Sequence, residues 1–225
     1  TLIKTLLTMD KSFWLRPLYV HPDRFLDQLL SIGEQDPRFL PYFDIPFQHA
    51  SRGILSRMGR KGSAEKYLAL IQGIRSRIPR AVIRSTFLTG FPGETEEDFR
   101  VLAEFQEKAE IDWLGIFTYS REEDTPAYTY PGQVKEHIAA QRKKILEHKQ
   151  IRITEKRLSR HIGTSLDVLI EEQVVNEPMY LGRSYIQAPE VDGLVVINSE
   201  SLTPGEIRRV RILRQNHFDL EGVVV

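Results

Sequence analysis

The chain of 225 residues contains no cysteine, which excludes a disulfide-stabilised scaffold and any metal site built from thiolates. A hydrophobic fraction of 41% supports one moderate domain and a small one, whereas no apolar run approaches the ~20 residues of a membrane span. Because nothing resembles a signal peptide either, we expect a cytoplasmic protein.

Apolar segments that end in polar residues recur through the first half of the chain. They are Phe13–Pro22, Tyr42–Ser51 and Ile116–Ser120. Helical patterns lie between them: one contains Phe25, Leu26, Leu29, Leu30 and Ile32, and another begins near Arg52 with Ser51 as its cap. Strands that alternate with helices build a parallel sheet, whose ligands gather at the carboxyl ends of the strands. We therefore predict an α/β fold with a ligand site at these ends.

A strand, a glycine-proline-glycine turn and an acidic helix start follow one another between Arg84 and Thr95. Gly90 and Gly93 let the backbone approach a small molecule closely, and free N–H groups at the helix start can receive a polar or anionic group. The same turn also has a purely structural interpretation. Any α/β unit turns its corner through glycine, and Thr95 with Asp98 forms a capping box.

The second half begins with a long polar helix, predicted from about Val134 to His161, in which Lys and Arg outnumber Glu nine to three. It is either a solvated connection between two domains or a basic contact for RNA. Short β-rich runs then predict a small closed antiparallel barrel; they are Leu166–Ile170, Leu194–Ile197 and Ile207–Leu213. The sequence thus predicts two domains, residues 1–161 and residues 162–225.

Charge is unevenly divided between these two domains. The whole chain balances at 31 basic and 31 acidic residues, but residues 162–225 contain ten acidic and five basic residues and carry −5, which leaves +5 on residues 1–161. The barrel has few aromatic residues, namely Tyr180, Tyr185 and Phe218. An acidic barrel of this kind repels phosphate and attracts a basic protein, although surplus acid can also serve only to keep a small domain soluble.

Five segments occur in the order and spacing of the radical S-adenosylmethionine methylthiotransferases, and the chain resembles that family over nearly its whole length. They are Asp44–Ser51, Met58–Gly62, Arg84–Phe87, Gly90–Thr95 and Tyr119–Glu122. The run Gln48–Ser51 favours the branch that modifies a ribosomal protein over the tRNA-modifying branch, where a Gln-Ser-Gly version is expected. The implied fold is a partial radical-SAM, TIM-like parallel barrel followed by a TRAM domain, a small OB-like antiparallel barrel.

The resemblance also implies an activity and its cofactors. The expected reaction is methylthiolation of the β-carbon of an aspartate in the twelfth protein of the small ribosomal subunit, with S-adenosylmethionine and two 4Fe-4S clusters. Thiolates are the usual ligands of such clusters, and this chain has none. We therefore expect a carboxyl-terminal half that retains about four of six barrel strands, is inactive alone, and binds a basic ribosomal protein through the acidic TRAM domain.

Site residues follow from the resemblance. Cofactor binding is expected at Gln48, His49, Arg84, Ser85, Thr86, Gly90, Pro92, Gly93 and Glu94, and substrate binding at Arg60, Tyr119 and Ser120. Arg84 would donate to the methionine carboxylate, Gln48 or Ser85 to ribose hydroxyls, and backbone from Gly90 to Glu94 would lie against adenine. No catalytic residue or metal ligand is assigned.

Several points stay open at this level. Arg84 and Thr86 share one face of the strand while Ser85 and Phe87 share the other, and either face could point into the barrel. Arg84 could instead pair with a surface acid, and His49 could be a structural histidine. Other functional classes are a tRNA adenosine methylthiotransferase, a non-catalytic ribosome-binding protein, and a non-radical α/β barrel enzyme.

One residue departs from the family pattern. Asp124 stands where the family usually has glycine, directly before the Thr-Pro-Ala run of residues 125–127. The position implies a left-handed backbone, which aspartate tolerates better than most residues other than glycine.

Overall fold

The computed structural model describes residues 2–24 and 27–225, which divide into two compact units, Thr1–Gln150 and Ile151–Val225. The sequence-based boundary at 161/162 lies later than this division, because the last turns of a long helix, α6 (Glu136–Ser159), belong with the second unit. This helix agrees with the predicted one to within two residues at each end. Among the described residues, no helix is long and apolar enough to cross a membrane.

The first unit is built from helices that alternate with parallel strands. The helices are α1 (Leu2–Leu7), α2 (Asp27–Gln35), α3 (Arg52–Arg57), α4 (Ala64–Arg77) and α5 (Glu96–Ala109). The strands are β1 (Tyr42–Asp44), β2 (Val82–Thr89) and β3 (Trp113–Thr118), with β2 in the middle and both pairings parallel. This confirms the predicted α/β arrangement, in which each crossover passes through helices.

Helix starts in this unit follow the side chains that can cap them. Thr95 and Asp98 form the predicted capping box of α5, with the Thr95 hydroxyl accepting from Asp98 N and the Asp98 carboxylate accepting from Thr95 N. Ser63 caps α4 by accepting from the backbone N–H of Lys66. Ser51 stands at the N-cap of α3, but its hydroxyl makes no cap and donates to Asp98 instead.

The segment Phe13–Pro22 does not form the expected fourth strand of the sheet. It makes one isolated parallel bridge, between Leu15 and Phe39, and the described part of the unit contains three strands. Pro17 has no N–H to donate to a ladder, which explains why pairing stops there. Of the helical pattern predicted after this segment, Phe25 and Leu26 lie outside the described residues, and α2 includes the remaining positions.

The two faces of β2 differ in burial, which answers the question left open by the sequence. Ser85, Phe87 and Thr89 are buried, whereas Arg84 and Thr86 are partly exposed. The buried face packs into the hydrophobic core formed with the helices, where the ring centroids of Phe87 and Phe105 lie 5.8 Å apart. The face that carries Arg84 is therefore the one open to a ligand.

The second unit contains the predicted closed barrel, formed by five strands. They are β4 (Ser165–Gln173), β5 (Met179–Arg183), β6 (Val195–Asn198), β7 (Ile207–Asn216) and β8 (Asp219–Val224). The barrel order is β4-β5-β6-β8-β7, and one pair, β6 with β8, is parallel, so the expectation of a wholly antiparallel barrel is wrong at that pair. The five strands agree with the five or so that the sequence predicts; the three runs named from the sequence fall in β4, β6 and β7, whereas β5 and β8 are each interrupted by a glycine.

Those two glycines allow the strands to meet closely. A Cβ at Gly182 would lie 2.5 Å from the carbonyl oxygen of Leu169, and one at Gly222 would lie 2.5 Å from that of Arg211. Real Cβ atoms do not approach backbone oxygens this closely. Glycine in these strands, which weakened the strand signal, is required for the barrel to close.

Candidate cofactor site

The open face of the sheet carries an ion pair near its centre. Arg84 Nη1 lies 3.2 Å from Asp44 Oδ1, with 13% of the Arg84 side chain and 2% of the Asp44 side chain exposed. Asp44 also accepts from the backbone N–H of Tyr19 at 3.3 Å. Arg84 thus pairs with an acid, but with a buried one on the neighbouring strand rather than with the surface acid of the alternative. The pair leaves a partly exposed guanidinium on the face where a ligand would lie.

Thr86, Leu88 and two residues of β3 follow Arg84 along the same face. Thr86 stands opposite Gly115 of β3, and Leu88 stands opposite Phe117, whose side chain is exposed. A Cβ at Gly115 would lie 3.2 Å from the Phe117 ring and 3.9 Å from Arg84 Nη2, so the absence of a side chain lets the ring lie close to the strand beside the guanidinium. Arg84 and Thr86 are thus the polar side chains that this face offers to a ligand.

Gln48 adopts a left-handed backbone at the carboxyl end of the first strand segment, with φ of 67°. Its N–H donates to Thr86 O at 2.8 Å and its carbonyl accepts from Leu88 N at 2.7 Å. These bonds hold a conformation that costs a non-glycine residue about 1 to 3 kcal/mol. They fix the Gln48 backbone on the strand that carries Arg84, and the Gln48 side chain stays half-exposed.

His49 is wholly buried, and burial lowers its pKa to about 4, so its imidazole is neutral at physiological pH. Its Nδ1 accepts from Ser51 N at 2.9 Å, while Nε2 has no hydrogen-bond partner among the residues described. Ser51 in turn donates to Asp98. The histidine therefore shapes the loop between β1 and α3 and connects it to α5.

Ser85 is also wholly buried, on the face opposite Arg84. Its hydroxyl donates to Ile45 O at 2.8 Å and accepts from Phe47 N at 3.1 Å. Both bonds satisfy backbone groups on either side of Pro46, where a regular ladder cannot continue. Ser85 thereby maintains the chain path beyond β1.

The glycine turn is held by packing and by a carboxylate. Gly90 and Gly93 have φ of 79° and 86°, and a Cβ on Gly90 would lie 2.4 Å from Cβ of Ala139 on α6. The Glu94 carboxylate accepts from the N–H groups of Gly90 and Phe91. The N–H groups of Gly93 and Glu94 donate to Gly132 O and Phe91 O, and Pro92 has no N–H. The turn's N–H donors are therefore used inside the protein rather than presented to a ligand.

Arg142 on α6 completes this turn, and sequence analysis missed it. Its Nη1 lies 3.1 Å from Glu94 Oε1, with 8% of the Arg142 side chain and none of the Glu94 side chain exposed. It also donates to Glu94 O at 3.2 Å and to Glu96 at 3.1 Å. Burial raises the pKa of Glu94, and the arginine and the two turn N–H groups oppose that rise. A buried arginine in a helix rich in basic residues gives no sequence signal.

The predicted substrate residues occupy three different environments. Arg60 donates to Pro46 O at 2.9 Å and is thereby tied to the loop after β1. The Tyr119 hydroxyl is buried and its ring lies edge-on against Phe91, with centroids 5.3 Å apart. Ser120 is exposed and donates to Glu122 at 2.5 Å. The structure does not bring these three side chains into one described cluster.

The loop after β3 has the backbone that its sequence implied. Asp124 has φ of 64°, the left-handed conformation expected at a position where the family has glycine. The residues that follow line one side of a cavity of about 350 Å³ in the first unit. Its lining comprises Arg57, Met58, Gly59, Phe91, Thr125, Pro126, Ala127 and Tyr130.

Residues that could hold an iron–sulfur cluster are not found in this chain. The sequence has no cysteine, and across the part of the chain that the structure describes no group of His, Asp and Glu is arranged to hold a metal ion. The donor set of the open face, a guanidinium with hydroxyl and amide groups, fits an anionic and polyhydroxy ligand but not a cluster.

Two family profiles match the chain. The radical SAM superfamily matches residues 8–105, and the TRAM domain matches residues 162–225. The second match starts at the residue where the sequence analysis placed the boundary. The first match contains both β1 and β2, and therefore the Asp44–Arg84 pair.

Individual relatives match the chain from end to end. The ribosomal protein uS12 methylthiotransferase RimO of Treponema denticola is 43% identical over 243 residues, an alignment that covers 100% of this chain and 52% of the relative. The protein of the same name from Geobacter sulfurreducens is 41% identical over 226 residues and covers 100% and 51%. The chain thus spans about half the length of the curated relatives it matches.

Similarity to solved structures is weaker. Coproporphyrinogen III oxidase (HemN) from Escherichia coli, a radical SAM enzyme, aligns with a TM-score of 0.49 and 16% identity, over 68% of this chain and 36% of that one. The family assignment rests on the sequence alone. Because one sequence contains a radical SAM segment and a TRAM domain and is 43% identical to the Treponema denticola relative along its whole length, the chain belongs to the radical S-adenosylmethionine methylthiotransferase family over the part of the family's length that it spans.

Proposed function

We propose that this chain is the carboxyl-terminal half of an enzyme that methylthiolates the β-carbon of an aspartate in ribosomal protein uS12. The observation that carries the proposal is the open face of the sheet, where the partly exposed guanidinium of Arg84 lies beside Asp44. Its support is the match of the whole chain to relatives named as uS12 methylthiotransferases. A ribosomal substrate places the enzyme in the cytoplasm.

S-adenosylmethionine, when bound with a reduced 4Fe-4S cluster, supplies the oxidising power to remove hydrogen from an unactivated carbon. In the proposal, Arg84 binds the methionine carboxylate, and Gln48 and Thr86 orient the ribose from the same face. The turn from Gly90 to Glu94 forms a rigid wall. His49 and Ser85 keep the loop after β1 in place without touching the cofactor. The ligands of two clusters would come from a segment that this chain does not contain.

A chimera tests the proposal. The amino-terminal half of the Treponema denticola relative, fused before this chain, is expected to cleave S-adenosylmethionine and to methylthiolate uS12, detected by mass spectrometry of the uS12 peptides. This chain alone, treated anaerobically with iron and sulfide, serves as the control and should yield no 5′-deoxyadenosine above a no-protein blank. A chimera that contains iron and cleaves the cofactor, yet modifies tRNA and leaves uS12 unchanged, would show that the substrate assignment is wrong.

Removal of Arg84 tests the cofactor site. In the chimera, Arg84→Ala should weaken S-adenosylmethionine binding by about 1.5 to 3 kcal/mol, the scale of a charge-assisted hydrogen bond. Isothermal titration measures the dissociation constant, and Arg100→Ala, on the exposed face of α5, is the matched control with no expected change. If the dissociation constant is unchanged in a folded Arg84→Ala protein, Arg84 does not bind the cofactor and serves only as the ion-pair partner of Asp44.

The barrel's charge supports a basic protein as its partner. Four of its five arginines pair with acids of the barrel itself, in the pairs Arg183–Glu171, Arg208–Glu206, Arg209–Asp167 and Arg214–Glu221. Because each pair is neutral, the surplus of five negative charges remains on the other residues. These include exposed Glu172, Glu177 and Glu200 near one end of the barrel.

Binding to uS12 should therefore weaken with salt, whereas tRNA should bind poorly. Screening shortens the reach of exposed charges to about 8 Å at physiological ionic strength, so a several-fold rise in salt should lower the affinity for uS12 markedly. The full chain is titrated with uS12 and with tRNA at two salt concentrations. Tighter binding of tRNA than of uS12 would favour the alternative that the enzyme modifies tRNA. If the chain binds neither, the surplus acidic residues serve only to keep the barrel soluble.

One observation favours the tRNA alternative. A cleft of about 650 Å³ in the second unit is lined by Arg152, Lys156 and Arg214, together with Glu155 and His217. If tRNA binds the second unit, we expect its phosphates to bind to the basic side chains of this cleft. In the same titrations, Arg152→Glu combined with Lys156→Glu would abolish any tRNA binding that passes through this cleft.

A further inference from the structure

The cavity beside the glycine turn contains one cation and no acid. Arg57, at the end of α3, is exposed and belongs to the lining, which otherwise consists of apolar, aromatic and small residues and, among the residues described, includes no acidic side chain. Arg57 donates to Pro131 O at 3.1 Å, and its guanidinium lies 5.5 Å from the centroid of the Tyr130 ring. No ion-pair partner for it exists among the side chains that the structure describes.

The position of Arg57 is fixed by the turn rather than by a charge. A Cβ on Gly93 would lie 2.8 Å from Arg57 Cζ, so the guanidinium packs directly on the backbone of that glycine. Gly93 N also donates to Gly132 O at 2.7 Å, which brings the loop of Tyr130 to the same place. The cation is therefore positioned beyond the carboxyl end of β2, where ligands of parallel sheets gather.

We propose that this cavity is the recognition site for the carboxylate of the substrate's aspartate, with Arg57 as the residue that binds it. The inference rests on the proposed function and specifies its substrate site. One nitrogen of Arg57 is used by Pro131, and its remaining donors can form charge-assisted hydrogen bonds to a carboxylate. Phe91, Pro126 and Ala127 supply apolar surface beside those donors.

The negative charge of the aspartate distinguishes it from other possible substrates of the site. An uncharged asparagine or an adenine base offers the guanidinium no counter-ion and so forgoes a charge-assisted hydrogen bond. An aspartate neutralises it. Arg57 thus selects a carboxylate, whereas Arg60, tied to Pro46, holds the loop that carries α3. This reassigns substrate recognition from Arg60 to Arg57.

Peptide binding to the chain itself tests the site, because the cavity needs neither cofactor nor cluster. The probes are two synthetic uS12 peptides, one with the aspartate that the chimera modifies and one with asparagine in its place. We expect the aspartate peptide to bind the chain about tenfold more tightly. Arg57→Gln should remove that difference, Arg57→Lys should restore part of it, and Arg52→Gln, at the start of the same helix, should preserve it.

Outcomes distinguish this site from the proposed function as a whole. If the chimera modifies uS12 but the Arg57→Gln chain still prefers the aspartate peptide, the site assignment is wrong and the function stands. Equal binding of both peptides to the wild-type chain also contradicts the site. If an adenosine-containing RNA oligonucleotide displaces the peptide and loses affinity in Arg57→Gln, the cavity recognises a base, and both proposals fall.

Discussion

Arg142→Met is expected to lower the free energy of unfolding of this chain by about 3 to 5 kcal/mol, the cost of leaving one partner of a buried ion pair without the other. Glu94 is fully buried and would keep only the Gly90 and Phe91 N–H groups as partners. Urea denaturation followed by circular dichroism measures the loss. Arg100→Met, which breaks exposed pairs on α5, should change stability by no more than about 1 kcal/mol.

The same variant should respond to pH in a defined direction. Burial raises the pKa of Glu94, so protonation is favoured in the folded state, and loss of Arg142 removes a group that opposes this rise. A raised carboxyl pKa makes the folded state relatively more stable below it, and the deficit of Arg142→Met should therefore shrink as pH falls from about 7.5 to about 5. Adding Glu94→Gln should recover part of the loss at neutral pH. A deficit independent of pH and of Glu94 would show that packing, not charge, explains the effect.

Gly90→Ala is expected to cost about 2 to 4 kcal/mol. The new methyl group would lie 2.4 Å from Cβ of Ala139, and the residue would have to keep φ at 79°. Overpacking typically costs 1 to 3 kcal/mol, and a left-handed backbone about 1 to 2 kcal/mol more, with partial relief by relaxation.

Gly73→Ala is the matched control for this substitution. A Cβ there meets nothing within 4 Å, and the residue lies inside α4, so alanine should stabilise the chain by up to about 1 kcal/mol. Combining Gly90→Ala with Ala139→Gly should relieve the clash and leave the backbone strain. Thermal unfolding distinguishes these cases, and a Gly90→Ala protein as stable as the wild type would contradict the described contact.

Local signals allowed much of the fold to be predicted. The Thr95–Asp98 box, the alternation in β2 and the spaced runs of the barrel each depend on residues close in sequence, and all three occur in the structure. Asp124 likewise has the backbone that its place before Thr-Pro-Ala implied. Such features are determined by backbone sterics and by short-range hydrogen bonds, which a sequence displays directly.

Contacts between distant residues could not be predicted. Arg142 and Glu94 are far apart in the chain, and nothing in a helix with seven Lys and Arg residues marks Arg142 as the one that binds Glu94. Which face of β2 is open depends on where the helices pack, and the parallel pairing of β6 with β8 depends on how the barrel closes. The glycine turn illustrates the difference. Its residues predict either a ligand site or a structural corner, whereas much of its shape is set by Ala139 and Arg142, on a helix whose sequence predicts a connection between domains or a contact for RNA.

The closed barrel and the open sheet differ in whether they offer an unpaired strand edge to another copy of the chain. Every barrel strand pairs on both sides, so that unit offers no strand edge for intermolecular pairing. In the sheet, β3 pairs only with β2 among the residues described, and Phe117 on that strand is 55% exposed. Aggregation of this chain at high concentration would therefore begin at β3, and a lysine in place of Phe117 is the substitution that would suppress it.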